Sequence, residues 1–185
     1  AALSVAVVQC KSGDIAVVAQ QSKKSLGSSA WESLLCQEAA RKFEQAHGHN
    51  PLTDDDPSSA MDLQLRAEDA KKALSQRAQF TLVVSSKGNT HKVGFTRRSF
   101  EEAAAPLIEG AKKLLIAVRD AAKIDAWKDL DAVIITGGGS RTPAIRRMLL
   151  NETGHEFQKG IGPEDGVAVG SLYWGIGERH RQSAT

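Results

Sequence analysis

The chain has 185 residues, 41% of them hydrophobic and 25% charged, with a formal net charge of +2. That is the balance of an ordinary globular protein of one domain, or two small subdomains sharing a core, and it excludes disorder over most of the length. No apolar run approaches the roughly 20 residues that span a bilayer. So small a charge gives no footing for nucleic acid, and Arg146-Arg147 and Arg179-His180-Arg181 read as solvated faces and a polar tail. Neither a nucleic-acid nor a membrane partner is expected. Cys10 and Cys36 stand at unrelated spacing, so no disulfide framework is implied and both read as idle thiols.

The opening Ala1 to Val8 has no basic residue ahead of its apolar stretch and no signal layout, so it reads as a strand in a cytoplasmic protein. Two β runs, Leu3 to Cys10 and Ile15 to Gln20, flank a Ser-Gly-Asp cluster, a hairpin signal. After the turn from Ser25 to Ser29, Trp31, Leu34, Leu35, Ala39, Phe43 and Ala46 recur at helical spacing, and Gly48 sits at the stop position. Asn50 to Ser58, with two prolines and Asp54-Asp55-Asp56, is a loop whose acids suit the start of the next helix. In that helix Ala60, Leu63, Ala67, Ala70 and Leu74 make one apolar stripe. A second hairpin pairs Phe80 to Val84 with His91 to Phe95.

Thr96 or Ser99 caps the longest helix, and Ser99 with Glu102 has capping-box spacing. Pro106 falls inside the pattern and predicts a kink or a new first turn. Asp131 to Thr136 reads as a strand buried on both faces. A Gly-rich turn, a helix from Pro143 to Leu150 and a last helix from about Pro163 to Trp174 complete the chain. Trp127, Tyr173 and Trp174 read as core or interface residues.

Two constellations carry chemistry. Thr136-Gly137-Gly138-Gly139-Ser140-Arg141-Thr142-Pro143 links a strand to a helix. Glycines let a ligand approach backbone N–H groups at a helix N-terminus, and Arg141 can stack on a base or pair with phosphate. Taken alone, such a turn fits tight packing as well as ligand contact. It is neither a P-loop nor a dinucleotide fingerprint. The second set is Glu68, Lys71, Lys72 and Ser75, which share one helical face opposite the apolar stripe. A solvated face with a Glu–Lys pair explains it, and so does an adenosine site in which Lys71 and Ser75 bond ribose or base. His47 and His49, two apart at a helix end, are expected to face different directions, so no metal pair is read there.

With these motifs the chain resembles the 70-kDa heat-shock chaperone (DnaK-type) family. Glu68-x-x-Lys71-Lys72-x-x-Ser75 is similar to its adenosine-side helix. Phe95 to Glu101 resembles its Thr-Arg-x-x-Phe-Glu segment, and Thr136 to Pro143 its Val-Gly-Gly-Ser-x-Arg-x-Pro turn. Pro163 to Gly170 resembles Pro-Asp-Glu-Ala-Val-Ala-x-Gly, and Leu26 to Glu32 stands where the family has Leu-Gly-Gly-x-x-Phe-Asp. The motifs keep their order along nearly the whole chain.

The resemblance implies an α/β fold: an actin-like ATPase (ribonuclease H-like) lobe, a mixed sheet with flanking helices plus a smaller α+β insertion. It implies a core subdomain at 1–29 and 96–178, an inserted subdomain at 30–95, and a polar tail or linker at 179–185. Gly27 and Ser28 would face phosphates, and Glu68, Lys71, Lys72 and Ser75 would hold the adenosine of ATP or ADP. Gly137, Gly138, Gly139 and Arg141 would cradle the nucleotide from the other subdomain, and Glu164 would close the pocket near the base. The family's first lobe is absent from this sequence, so the reading is of an excised part of a larger chaperone-like protein. Half a cleft should not hydrolyse ATP, and Mg2+ is expected only with the first lobe present. The family's partners would be a nucleotide-exchange factor or co-chaperone on 30–95 and unfolded polypeptide bound by the parent protein.

Departures from the family pattern point the other way. Ala1-Ala2-Leu3-Ser4 replaces Gly-Gly-Gly-Thr-x-Asp, and Ser4 cannot supply a carboxylate's charge to a metal. Ser28 replaces a glycine, Ala30 and Glu32 alter the acidic pattern, and Glu164 and Asp165 invert two acids. The alternative is a pseudo-ATPase, a chaperone-like interaction module. Another actin-like ATPase, such as a sugar kinase or filament protein, is disfavoured by the segment from Ala30 to Phe95.

Overall fold

A computed structural model describes residues 2–11, 14–55, 57–157, 162, 165–166 and 168–171. The chain divides into two units, one ending at Ala122 and the other beginning at Lys123.

The first unit opens with an antiparallel hairpin, β1 (Leu3–Lys11) and β2 (Asp14–Lys23). Pairing runs from Leu3↔Lys23 to Val7↔Ala19, then shifts so that Val8 faces Val17, leaving Val18 as the extra residue of a bulge. Leu3, Val5 and Val7 alternate inward, half-buried beneath helix α4 (Ala105–Ala121), which packs on both strands. The opposite face leaves Val8, Val17 and Ile15 exposed.

A 3-10 turn at Lys24–Leu26 leads through Gly27 into α1 (Ser28–His47). Its four-residue stripe Trp31, Leu35, Ala39 and Phe43 is buried, whereas Leu34 is only half-buried and Ala46 is exposed. Gly48 ends the helix in the left-handed conformation, φ 76°, with its N–H on the Glu44 carbonyl. Helix α2 (Pro57–Gln76) buries Leu63, Ala67, Ala70 and Leu74 against α1 and strand β3 (Gln79–Ser86). Ala39, Ala67 and Ala70 have no exposed surface, and their small side chains fit the close packing of these elements.

β3 and β4 (Asn89–Thr96) are joined by Lys87 and Gly88, both at positive φ (47° and 78°), the two-residue turn that matches strand twist. Leu82, Val84 and Val93 point inward and are fully buried, as are Phe43 and Leu35 of α1 and Leu74 of α2. Asp54 is held by the β3–β4 turn: Ser86 Oγ and Lys87 Nζ donate to its two oxygens at 2.8 and 3.0 Å.

Thr96, not Ser99, is the N-cap of α3 (Arg97–Ala103), and Ser99 is the reciprocal partner in place of Glu102. Thr96 leaves β4 extended, so its hydroxyl meets the Ser99 N–H, whereas Ser99 already lies in the first turn. The helix breaks at Ala104 and α4 restarts with Pro106 in its first turn, where a missing N–H costs nothing.

In the second unit the Asp131–Thr136 run is not the doubly buried strand its composition predicts. Val133 makes one parallel bridge with Phe157, and Ile134 is 73% exposed. A strand needs neighbouring ladders to bury both faces, and the described residues of this unit give it a single bridging partner. Among the described residues, parallel pairing is limited to this one bridge, and both sheets are antiparallel. Helix α5 (Pro143–Thr153) follows with Gly154 at φ 71° as its stop. Arg146 lies 4.9 Å over the Phe157 ring, and His155 Nε2 donates to the carbonyl of half-buried Trp127 at 2.7 Å. Half of the last expected helix, including Glu164, Tyr173 and Trp174, lies outside the described residues, as do residues 179–185.

Candidate functional site

Helix α2 presents Glu68, Lys71, Lys72 and Ser75 as the spacing predicts, but the four do not share one environment. Lys71 is buried, 9% exposed, and its ammonium reaches the first turn of α1. There it donates to Ser28 Oγ at 3.0 Å and pairs with the Glu32 carboxylate. Ser28 Oγ donates in turn to the same Glu32 oxygen at 3.0 Å, closing a three-membered polar network. Of the residues expected at phosphate and at adenosine, the structure thus brings Ser28 and Lys71 together.

Glu32 is the member that sequence reading missed as a site residue, treating it only as a departure from an acidic pattern. Its signal was the spacing of four from Ser28, which stacks a carboxylate over that hydroxyl on one helix face. Gly27 is buried, and its N–H already donates to the Lys24 carbonyl at 3.1 Å. Ser75 sits one turn beyond Lys71 and donates to the Lys71 carbonyl at 3.0 Å, so its oxygen lone pairs can still accept.

Glu68 and Lys72 form an exposed pair at 2.7 Å. The Lys72 hydrogen bond and charge hold the Glu68 carboxyl below the usual range, and the same bond raises the Lys72 ammonium. Glu32 and Glu68 also border a groove of about 360 Å³ between α1 and α2 that Cys36, Met61 and Leu65 help line. Burial pushes the Cys36 thiol up, which keeps it protonated and unreactive, while Cys10 is exposed.

In the second unit Gly137 adopts φ 80° and ψ 151°, a region closed to other residues, and starts a 3-10 turn over Gly138–Arg141. Ser140 locks that turn, its N–H and hydroxyl donating to the Gly137 carbonyl at 3.0 and 2.7 Å. A Cβ built at Gly138 or Gly139 would meet nothing within 4 Å. Packing within the protein therefore does not dictate those two glycines, and Arg141 at the end of the turn is exposed. Thr142 ends the turn and Pro143 opens α5. Gly166, from the Pro163–Gly170 segment, comes so close to Thr136 that a Cβ would lie 2.9 Å from its methyl.

The Thr96–Glu101 motif is structural at three positions. Thr96 caps α3, Arg97 Nε donates to the Leu74 carbonyl at 2.7 Å, and Phe100 meets Trp31 edge to face at 5.9 Å. Ser4 spends its hydroxyl on Ser22 across the hairpin, 2.8 Å away. Among the described residues, no group of three or more His, Cys, Asp and Glu is placed to hold a metal ion. Nor is any helix there long and apolar enough to cross a membrane.

The model of the Hsp70 protein family matches residues 1–175. The chain belongs to the Hsp70 family. Membership implies the actin-like ATPase fold expected from the motifs. Among Hsp70 relatives, the Chaperone protein DnaK of Metamycoplasma hominis is 26% identical over 177 residues, covering 92% of this chain and 29% of that protein. The chain thus spans less than a third of the length of that Hsp70 relative.

Proposed function

We propose that this chain is the adenine-nucleotide-binding lobe of a DnaK-type chaperone ATPase, the second of two, and that it does not hydrolyse ATP as an isolated lobe. The observation that carries the reading is the reach of Lys71 from α2 to Ser28 at the start of α1. It links the residue assigned to adenosine with the residue assigned to phosphate.

The ligand is ATP or ADP. Lys71, Ser75, Glu68 and Lys72 take the adenosine; Gly27 and Ser28 face the phosphates. Gly137, Gly138, Gly139 and Arg141 offer N–H groups and a guanidinium, the donors that an adenine ring and phosphate oxygens require. The open space at Gly138 and Gly139 favours ligand contact over tight packing. Glu164 stays assigned to the base side by the motif alone. Mg2+ enters only with the first lobe, because phosphoryl transfer needs charge and positioning from several elements.

Residues 1–29 and 96–178 form the core of the lobe and 30–95 its insertion, which is the surface for a nucleotide-exchange factor or co-chaperone. The parent protein binds unfolded polypeptide in the cytoplasm during the stress response.

A second reading, a pseudo-ATPase interaction module, draws on two observations. Ser4 is bonded to Ser22 where the family carries a magnesium-serving Asp, and Glu32 is engaged by Lys71. Calorimetry with ADP to millimolar concentration, beside an Arg141→Ala variant, tests the first reading. Weak binding that the variant loses supports it. If a chaperone first lobe fused ahead of the chain still gives no heat, the second reading replaces it.

A further inference from the structure

Two histidines, His47 and His49, pack on Phe43 and a third, His91, meets His47; none of them is assigned to the nucleotide. His47 closes α1 with its ring 4.6 Å from Phe43 and 5.7 Å from His91 of β4. His49, expected to face elsewhere, comes within 5.1 Å of the same Phe43 because the left-handed Gly48 turns the chain back. The Nε2 atoms of both His47 and His49 are buried without a hydrogen-bond partner. A buried polar nitrogen left unpaired opposes folding, so each such atom calls for a reason.

For His49 the geometry supplies one. Its Nδ1 lies 3.2 Å from the His47 carbonyl oxygen, which can only accept, so Nδ1 carries the proton. In the neutral ring Nε2 then presents a lone pair to Asp54 Oδ2, 3.7 Å away, and two acceptors face each other. Burial pushes the Asp54 carboxyl up, but the bonds from Lys87 and Ser86 outweigh it and keep the group ionised. A proton on Nε2 turns the mismatch into an ion pair.

The remaining groups frame that pair. Lys87 shares Asp54 and opposes a second cation. His47 and His91 face each other at 80°, and His47 Nε2 has no acceptor to reward a proton. Glu44 of α1 accepts from Asn50 at 2.9 Å and steadies the loop.

We infer that His49 and Asp54 form a pH-sensitive latch, which on protonation of His49 fastens residues 50–54 and the β3–β4 turn to the end of α1. It is independent of the nucleotide reading, since none of its residues is assigned to that ligand.

The test is thermal unfolding of the full chain by circular dichroism at about pH 8 and at about pH 5, for the native sequence, His49→Phe and the control His155→Gln. The native chain and the control should gain about 2 °C more on acidification than His49→Phe does. An acid-side gain in His49→Phe equal to that of the native chain overturns the latch. Should His49→Phe not fold, Asp54→Asn carries the test: loss of the increment supports the pairing and its retention overturns it.

Discussion

The Arg97 guanidinium donates from Nε to the Leu74 carbonyl at 2.7 Å, tying the first residue of α3 to the last turn of α2. The carbonyls that end a helix have no partner within it, so a cation placed there satisfies one and complements the helix dipole. A motif read from sequence as a family mark is thereby a strut between two helices. Arg97→Ala should lower stability by about 1–2 kcal/mol, read as a lower urea midpoint with an unchanged slope. A midpoint equal to that of the native chain would remove the strut.

The Glu32–Lys71 pair should be strongly coupled. Lys71→Met strands a part-buried carboxylate, and Glu32→Gln strands a buried ammonium. Each single change should cost about 2 kcal/mol, while the double change costs well under their sum. A double-mutant cycle by urea unfolding measures this, and additive losses would contradict the network.

The three glycines of the turn should separate into two kinds. Gly137→Ala forces a side chain into φ 80°, ψ 151° and should cost about 1–3 kcal/mol. Gly138→Ala and Gly139→Ala should leave thermal unfolding nearly unchanged, because a Cβ meets open space, while weakening ADP binding. Equal destabilisation by all three would return the turn to a packing role.

Stability should fall on the acid side through exposed helix pairs. Hydrogen bonds from Arg41 and Lys72 hold Glu38 and Glu68 below their ordinary value of 4.5. Both therefore add stability above that value and lose it as pH drops through the lowered folded-state values. Urea midpoints taken between neutral pH and about pH 3 should fall less steeply in Lys72→Met than in the native chain. Identical slopes would show that the Glu68 pair contributes nothing.

Much of the architecture is local, which is why the sequence carries it. The stripe Trp31, Leu35, Ala39 and Phe43, the stop at Gly48 and the restart at Pro106 depend on neighbours within a turn or two. What escaped depends on distant partners. Glu32 meets a lysine 39 residues away, and Asp54 is bonded by Ser86 and Lys87, more than 30 residues on. Asp131–Thr136 reads as a buried strand because its composition is apolar, yet burial also needs neighbouring strands. Thr96 took the cap from Ser99 because the end of β4, not residue type, fixes where the helix can begin.

The central claim, an adenine-nucleotide lobe, is tested most directly by following backbone amide NMR signals of the chain as ADP rises to millimolar concentration. Shifts should concentrate on Ser28, Lys71 and Ser75 and on Gly138 to Arg141. Signals that stay in place there, or that move only elsewhere, would contradict it.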